Sequence, residues 1–416
     1  MRPIDYLTLM AQPWNYNRSE PVAVLERRLA EMYGSRRCLA TSNGRSALYT
    51  IFKSLEAGPG DEVILQAFTC VAAMNPLVWT GFKPVFADAD PDTLGLSLES
   101  VRERITDRTR AILVQHTFGV PAAVKEIADL AAEHDIVVVE DCAHALGVTV
   151  DGRRVGTFGN VAMLSFGIDK QLSSKTGGAV VAPEGALGER IQTEWARLKP
   201  LSRAETLRWL LFPLIRIGLR HLPHPTSDRT AKLLERTGIL RQAVTAAELR
   251  GGFPPGTPAG ISGALARVIL SELDSLGPNL EHRATMSALY RSRLAPLTDA
   301  SWKSTEARDA KGTGSLFVPA MADGPLMRFP VLFAERSVRD RVRARLQAVG
   351  FDVTGWYDPP IFPAGVDLGA LGYDPAQTPV ARDLAARVLC LPTGRNINAG
   401  RAETIGGIIA QELAAA

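Results

Sequence analysis

Between residues 45 and 141, short apolar runs alternate with amphipathic ones at intervals that leave few folds open. The segments "DEVILQ" (61–66), "KPVFADA" (83–89), "RAILVQH" (110–116) and "DIVVVED" (135–141) read as strands. "RSALYTIFKSL" (45–55) and "VKEIADLAAEH" (124–134) carry the apolar spacing of helices. Strands joined through helices cannot pair as simple hairpins, so the pattern predicts an α/β fold with a mostly parallel sheet flanked by helices. In such sheets ligands sit beyond the carboxyl ends of the strands, where "QHTFG" (115–119) and "EDCAHALG" (140–147) fall.

At 416 residues and 46% hydrophobic, the chain exceeds the size at which single cores divide, so two lobes are expected. Residues 186–250 are helix-like and Arg-rich, and "GGFPPGTPAG" (251–260) then breaks the pattern. Beyond it, "ALARVILSELDSL" (264–276) and "HRATMSALYRSRL" (282–294) read as helices; "RFPVLF" (328–333) and "SVRDRVRARLQAVGFDV" (337–353) read as strand, helix, strand. The expected division is a large domain over residues 1–269, with a helical insertion at about 186–250, and a smaller C-terminal α/β domain over 270–416. A net charge of +3 gives no sign of nucleic-acid binding. Cys38, Cys70, Cys142 and Cys390 show neither disulfide nor zinc spacing, which points to reduced thiols and no metal. With no stretch of signal-peptide or membrane-span character, a cytoplasmic location is expected.

"VVVEDCAHALG" (137–147) drives a buried-strand pattern straight into an acid. A carboxylate at such a strand end is costly unless a cation or a hydrogen-bond donor faces it. Asp141 can be a helix cap or half of a buried ion pair, and it can equally serve a cationic ligand. Lys170 lies in "SFGIDKQLSSKTGGAVV" (165–181), between an apolar run and a Gly-Gly pair. An amine held in a pocket can condense with a carbonyl, whereas an ordinary lysine does so poorly at neutral pH. In "TSNGRSAL" (41–48), Ser42, Asn43 and Gly44 precede a helix signal, so backbone amides at a helix start, with Arg45 beside them, suit an anion. A plain N-cap looks the same. Together the three elements fit a phosphorylated aldehyde with a basic ring nitrogen, and pyridoxal 5'-phosphate has that chemistry.

These segments, with "VLERRLAEMYGSRRCLATSNGRSAL" (24–48), "VILQAFTCVAAMNPLVWTGFKPVFADAD" (63–90) and "LAARVLCLPTG" (384–394), resemble the DegT/DnrJ/EryC1/StrS aminotransferases. That resemblance implies a fold type I pyridoxal phosphate enzyme, with a seven-stranded sheet and a homodimer whose sites lie at the subunit interface. It implies that Lys170 carries the cofactor and shuttles the proton. Asp141 pairs with the ring nitrogen, His144 lies near the ring oxygen, and Gly44, Arg45, Asn43 and Ser165 belong around the phosphate. For His144 a satisfied structural histidine remains the other reading. The activity implied is transfer of an amino group from an amino acid, glutamate first, to a keto sugar, often nucleotide-linked, or to a cyclitol ketone.

The departures are specific. Where the family stacks an aromatic residue on the cofactor ring this chain has Cys70, leaving Phe68 and His116 as substitutes. Pro258 and Gly260 stand where members carry an Asn and an Arg that reach the neighbouring subunit's site. Trp356, Tyr357 and Arg328 can approach the substrate from the smaller domain, but read first as core and loop packing rather than as catalytic residues. In "LSRAETLRWLLFPLIRIGLRHLPHP" (201–225) apolar residues alternate with Arg208, Arg216 and Arg220, and Pro213 is expected to break the helix. This segment reads as a helix pair packed on the dimer interface or over the active site or, over residues 201–223, as a peripheral membrane contact. Two further hypotheses stay open: other carbanion chemistry on an amino acid, and a noncatalytic regulatory role that the presence of Lys170 argues against.

Overall fold

A computed structural model describes residues 3–34, 36–219, 221–222, 224–298, 316–320 and 323–416. Arg220 and Pro223 of the apolar, Arg-containing segment lie outside the described residues. Seven strands make the main sheet, which is mostly parallel and flanked by helices. By compactness the chain falls into two units, Met1–Glu56 with Met163–Leu276 and Ala57–Ala162 with Gly277–Ala416.

In the first unit the strand Arg37–Thr41 pairs antiparallel with Gly178–Ala182, Thr41 opposite Gly178. Leu25 and Leu29, one turn apart on the helix Glu20–Met32, are fully buried. The helix Gly44–Lys53 starts at Asn43, whose side chain accepts from the amide of Ser46 at 2.9 Å. Residues 186–249 contain the helices Ala186–Ala196, Arg203–Leu219, His224–Arg236 and Ala246–Leu249. Pro213 does not end its helix, which runs unbroken from Arg203 to Leu219. An internal proline costs about 3 kcal/mol. Burying Leu210, Phe212 and Leu219, at roughly 1.5–3 kcal/mol each, outweighs that loss. Phe212 and Leu219 form a local core with Leu240, against which Trp209, Ile215 and Leu234 pack.

In the second unit Val137–Asp141, Thr109–Gln115, Glu62–Gln66 and Lys83–Ala87 lie side by side in that order, all parallel. Their apolar residues Ile64, Ile112, Val114 and Val138 share a core with Val124, Ile127 and Leu130 of the helix Val124–Ala132. A separate three-stranded antiparallel sheet is built from Leu316–Phe317, Arg328–Phe333 and Val388–Pro392. It packs on the helices Arg336–Ala348 and Ala399–Ala414 through Phe329, Val331, Val342, Leu346, Ile405 and Ile409. "FDV" (351–353) is not a strand; only an isolated bridge, Thr354 to Cys390, follows it. Two short pieces, Thr69–Cys70 and Ile361–Phe362, pair in parallel.

Candidate active site

The residues singled out from the sequence fall into two sets, one in each unit. In the second unit, Asp141 ends its strand opposite Gln115, is 3% exposed, and accepts from the amide of Ala143 at 2.9 Å. Its backbone carbonyl accepts from the amide of His116 at 3.2 Å. A tight turn therefore fixes the carboxylate at the carboxyl end of the parallel strands.

Behind it lies a pair that the sequence did not reveal. Glu140 and His116 are fully buried, with His116 Nε2 3.1 Å from Glu140 Oε2. His116 Nδ1 accepts from the amide of Ala122 at 3.2 Å, so in the neutral ring the proton sits on Nε2 and is donated to Glu140. Glu140 also accepts from the amides of Gly156 at 2.7 Å and Gly159 at 2.6 Å. Burial pushes its carboxyl up, but these donors outweigh burial and hold it below its ordinary value. Cys142 completes a cluster with His116 and Glu140 of a composition that could hold a metal ion. Burial first, then the charges of Glu140 and Asp141, push the Cys142 thiol well up. With both His116 nitrogens engaged, the cluster reads as a hydrogen-bonded lock.

His144 Nδ1 accepts from the amide of Phe118 at 3.2 Å, which makes Nε2–H a donor. Its ring lies nearly parallel to Phe118 (9°, centroids 6.1 Å apart) and to Trp356 (10°, 6.3 Å). Tyr357 joins the same stack, 14° from His144 at 6.5 Å and 23° from Phe118 at 5.7 Å. Phe68, one of the two expected stand-ins for a stacking ring, is wholly buried and set edge-on to Phe118 and Tyr357. The other, His116, is locked against Glu140. Cys70 caps the helix Val71–Trp79 and pairs with Phe362. Arg328 is bound to Asp352, with its guanidinium 5.6 Å from the Trp356 ring.

In the first unit, Asn43, Gly44 and Arg45 begin a helix that packs closely on Ser165. A Cβ on Gly44 would stand 3.1 Å from Met163 Sδ and 3.2 Å from Ser165 Cβ. Bare backbone therefore lies against the 8% exposed serine. Asn43 spends its side chain on the Ser46 cap and on donation to Thr257 Oγ1 at 2.8 Å. The Arg45 guanidinium bonds to buried Glu248 and, at 3.1 Å, to the carbonyl of Ala243. What Arg45 offers an anion is thus its backbone amide, one of those at a helix start that the helix's own ladder leaves over. The loop containing Pro258 and Gly260 braces this turn: Ser42 Oγ donates to Gly256 O at 2.9 Å and the Ser42 amide to Ala259 O at 2.9 Å. Lys170 is half-buried in the turn after the strand Val161–Ser165, beside Asp169, whose φ is +59°.

As donor sets, these residues fit pyridoxal phosphate. A glycine helix start beside a hydroxyl suits a phosphate, a buried carboxylate suits a protonated ring nitrogen, and flat side chains suit a ring. The fold is that of the fold type I pyridoxal-phosphate-dependent transferases. The chain belongs to the DegT/DnrJ/EryC1/StrS aminotransferase family, whose profile matches residues 5–410. It is similar to DesI, crystallised in the presence of its TDP-sugar product, with a TM-score of 0.71 and 26% identity over 99% of this chain and 91% of that one. An aminotransferase from Psychrobacter cryohalolentis shares the fold, with a TM-score of 0.73 and 21% identity over 99% of this chain and 96% of that one. Among curated proteins, GDP-perosamine synthase of Vibrio cholerae is 37% identical over 41% of this chain and 46% of its own length. L-glutamine:2-deoxy-scyllo-inosose aminotransferase of Streptomyces kanamyceticus is 39% identical over 40% of this chain and 39% of its own. The chain thus spans about half or less of the length of the curated relatives it matches.

Proposed function

We propose that this protein is a pyridoxal-phosphate-dependent aminotransferase that moves an amino group from an amino acid to the ketone of a sugar or cyclitol. The carrying observation is the buried carboxylate of Asp141 at the carboxyl end of the parallel strands, in a family member that retains Lys170. The names of the relatives, a GDP-perosamine synthase and an L-glutamine:2-deoxy-scyllo-inosose aminotransferase, support a keto sugar or cyclitol acceptor. The donor to try first is L-glutamate, followed by the L-glutamine named in one relative. Residues 1–269 form the cofactor-binding domain in this reading, including the helical segment 186–250, and residues 270–416 form the smaller one.

When bound, the cofactor supplies an electron sink and carries nitrogen from donor to acceptor. Lys170 Nζ would hold the cofactor at its aldehyde carbon, with release of water, and would take and return the proton of the substrate carbon. The Asp141 carboxylate would keep a proton on the ring nitrogen, and His144 Nε2–H would face the ring oxygen as a donor. The amides of Gly44 and Arg45 and the Ser165 hydroxyl would hold the phosphate, with Asn43 fixing the turn that aims them. Cys70 would line the ring without stacking on it.

The deciding experiment is the visible spectrum of the purified protein with pyridoxal phosphate, before and after L-glutamate or L-glutamine is added without an acceptor. Loss of the visible band to the aminated cofactor supports transamination. A band that both donors leave unchanged sinks it and redirects attention to other carbanion chemistry.

We further propose a cytoplasmic homodimer, tested by light scattering. Among the described residues no helix is long and apolar enough to cross a membrane. Leu207, Ile217 and Leu222 are nonetheless 38–41% exposed in a stretch that also exposes Arg208 and Arg216. That composition suits a peripheral membrane contact through residues 201–223. Equal co-sedimentation with anionic liposomes, with and without this segment, removes the membrane contact and leaves packing on a second subunit.

A further inference from the structure

Cys70 has no ring, and the two residues expected to replace one are committed elsewhere, Phe68 edge-on to Phe118 and Tyr357 and His116 bound to Glu140. The structure offers a third from a distant part of the chain. The segment 356–362 is pinned to Thr69–Cys70 by the parallel pairing of Ile361–Phe362 with that strand and by the Thr69 amide donating to Pro360 O at 2.8 Å. This pairing carries Tyr357 in beside Cys70. The ring is 4% exposed, edge-on to Phe68 at 5.3 Å, and nearly parallel to Trp356 at 6.3 Å. Its hydroxyl is hydrogen-bonded to the side chain of Gln115, the residue directly opposite Asp141 in the sheet. Gln115 is itself held, accepting from Thr69 Oγ1 at 2.6 Å and donating to Thr117 Oγ1 at 3.0 Å. Burial first, and then the nearby charges of Cys70 and Asp141, push the phenol well up, so it stays protonated and neutral beside the carboxylate.

We propose that Tyr357 is the residue that stacks on and positions the cofactor ring in this protein, supplying from the 356–362 segment the aromatic face that Cys70 lacks. The tether to Gln115 sets the height of the ring relative to Asp141. The packing of Phe68, Phe118 and Trp356 around it fixes its tilt, so the face is formed before any ligand arrives, which lowers the ordering cost of binding. The inference rests on the pyridoxal phosphate reading above.

The test measures pyridoxal phosphate dissociation from the full-length protein by titrating the visible band, together with the circular dichroism of that band. The wild type is compared with Tyr357→Phe and Tyr357→Leu, with melting checked for each. Ring stacking is worth about 0.5–1.5 kcal/mol, and 1.4 kcal/mol is tenfold. Tyr357→Phe should hold affinity close to the wild type, while Tyr357→Leu should weaken it several-fold, up to about tenfold, and diminish the band's circular dichroism. Should the core reject leucine, Tyr357→Met keeps the volume without a ring and carries the same expectation. Ring-free variants that bind as tightly as the wild type, with unchanged circular dichroism, overturn the proposal. A wild type that forms no band at all refutes the cofactor reading instead, so the two failures are distinct.

Discussion

The two sets of candidate residues are held by different means. In the first unit the parts are mostly backbone: a capped helix start, a glycine pressed against Ser165, a loop whose carbonyls brace Ser42, and a lysine in a turn wound through left-handed residues. In the second unit they are side chains locked by side chains: Glu140 on His116, His144 on Phe118, Tyr357 on Gln115. A backbone site is sensitive to added atoms and indifferent to most side-chain chemistry. A side-chain site is sensitive to removed atoms. The contrast therefore makes opposite demands on mutations in the two units.

The sharpest separation comes from Lys170→Ala. The side chain is only half-buried, so the fold should keep its melting temperature while the chemistry disappears. Loss of a proton-transfer group alone costs about a hundred- to ten-thousandfold in rate, so a single-turnover assay with glutamate should fall by at least about a thousandfold. Retention of turnover would take Lys170 out of the mechanism and leave the first unit with no chemical role.

Glu140→Gln should do the reverse, damaging the scaffold first. The amide side chain would keep a carbonyl for one backbone donor but place an NH2 group against the others and against His116 Nε2–H. Breaking a buried charged network costs about 3 kcal/mol, enough to read as a clear drop in melting temperature. The pH dependence gives an independent check. The folded carboxyl is held below its ordinary value of 4.5, so the unfolded chain binds the extra proton first. Its contribution is complete above about 4.5 and is lost as pH falls through the folded value. The variant should therefore lose less stability on acidification over that window than the wild type. Parallel acid-stability curves would show that Glu140 does not carry this load.

Gly178→Ala tests the backbone unit by addition. A Cβ there would stand 2.6 Å from Asn43 C and 2.7 Å from both Asn43 O and Gly44 N, atoms that cannot swing aside. Overpacking of this kind costs about 2 kcal/mol, and the displaced helix start should also weaken affinity for the phosphorylated cofactor. An added methyl at Gly152, which nothing approaches within 4 Å, lacks the clash and is the control for generic glycine loss, although its φ of +77° carries its own strain.

How much of this is legible in the sequence follows the same division. Asp141 stands out because an acid terminates an apolar run, and Lys170 because a Gly-Gly pair bounds its turn; both signals are local. The Glu140 lock is not legible, since its partner His116 is 24 residues away, just past the end of the neighbouring strand, and only sheet register brings them together. Tyr357 is further out of reach. Its neighbourhood depends on the pairing of 361–362 with 69–70, and nothing in "GWYDPP" encodes that partner. The parallel strands are readable because β-branched runs bounded by turns have few alternatives. The helix through Pro213 departs from expectation because a local rule gives way where burial of Leu210, Phe212 and Leu219 decides the outcome.

The smallest expected effect is also the most discriminating for the backbone unit. Lys175 has φ +77° and bridges Gly167 in the loop that contains Lys170, a conformation that suits glycine. Holding a side chain there costs about 1 kcal/mol or more, and Lys175 recovers part of it by donating to Ser173 Oγ at 3.0 Å. Replacement by glycine relieves strain of about 1–2 kcal/mol but loses that hydrogen bond and gives the unfolded chain more freedom, opposing terms that together take back about 1 kcal/mol. The net expectation for Lys175→Gly is therefore a gain of only about 0.5 kcal/mol. Lys175→Ala keeps the strain and loses the hydrogen bond, so it should fall below the wild type. The order glycine, lysine, alanine in thermal stability identifies backbone geometry as what the position demands. An order with lysine first would mean that the side chain, as in the second unit, is what holds this loop.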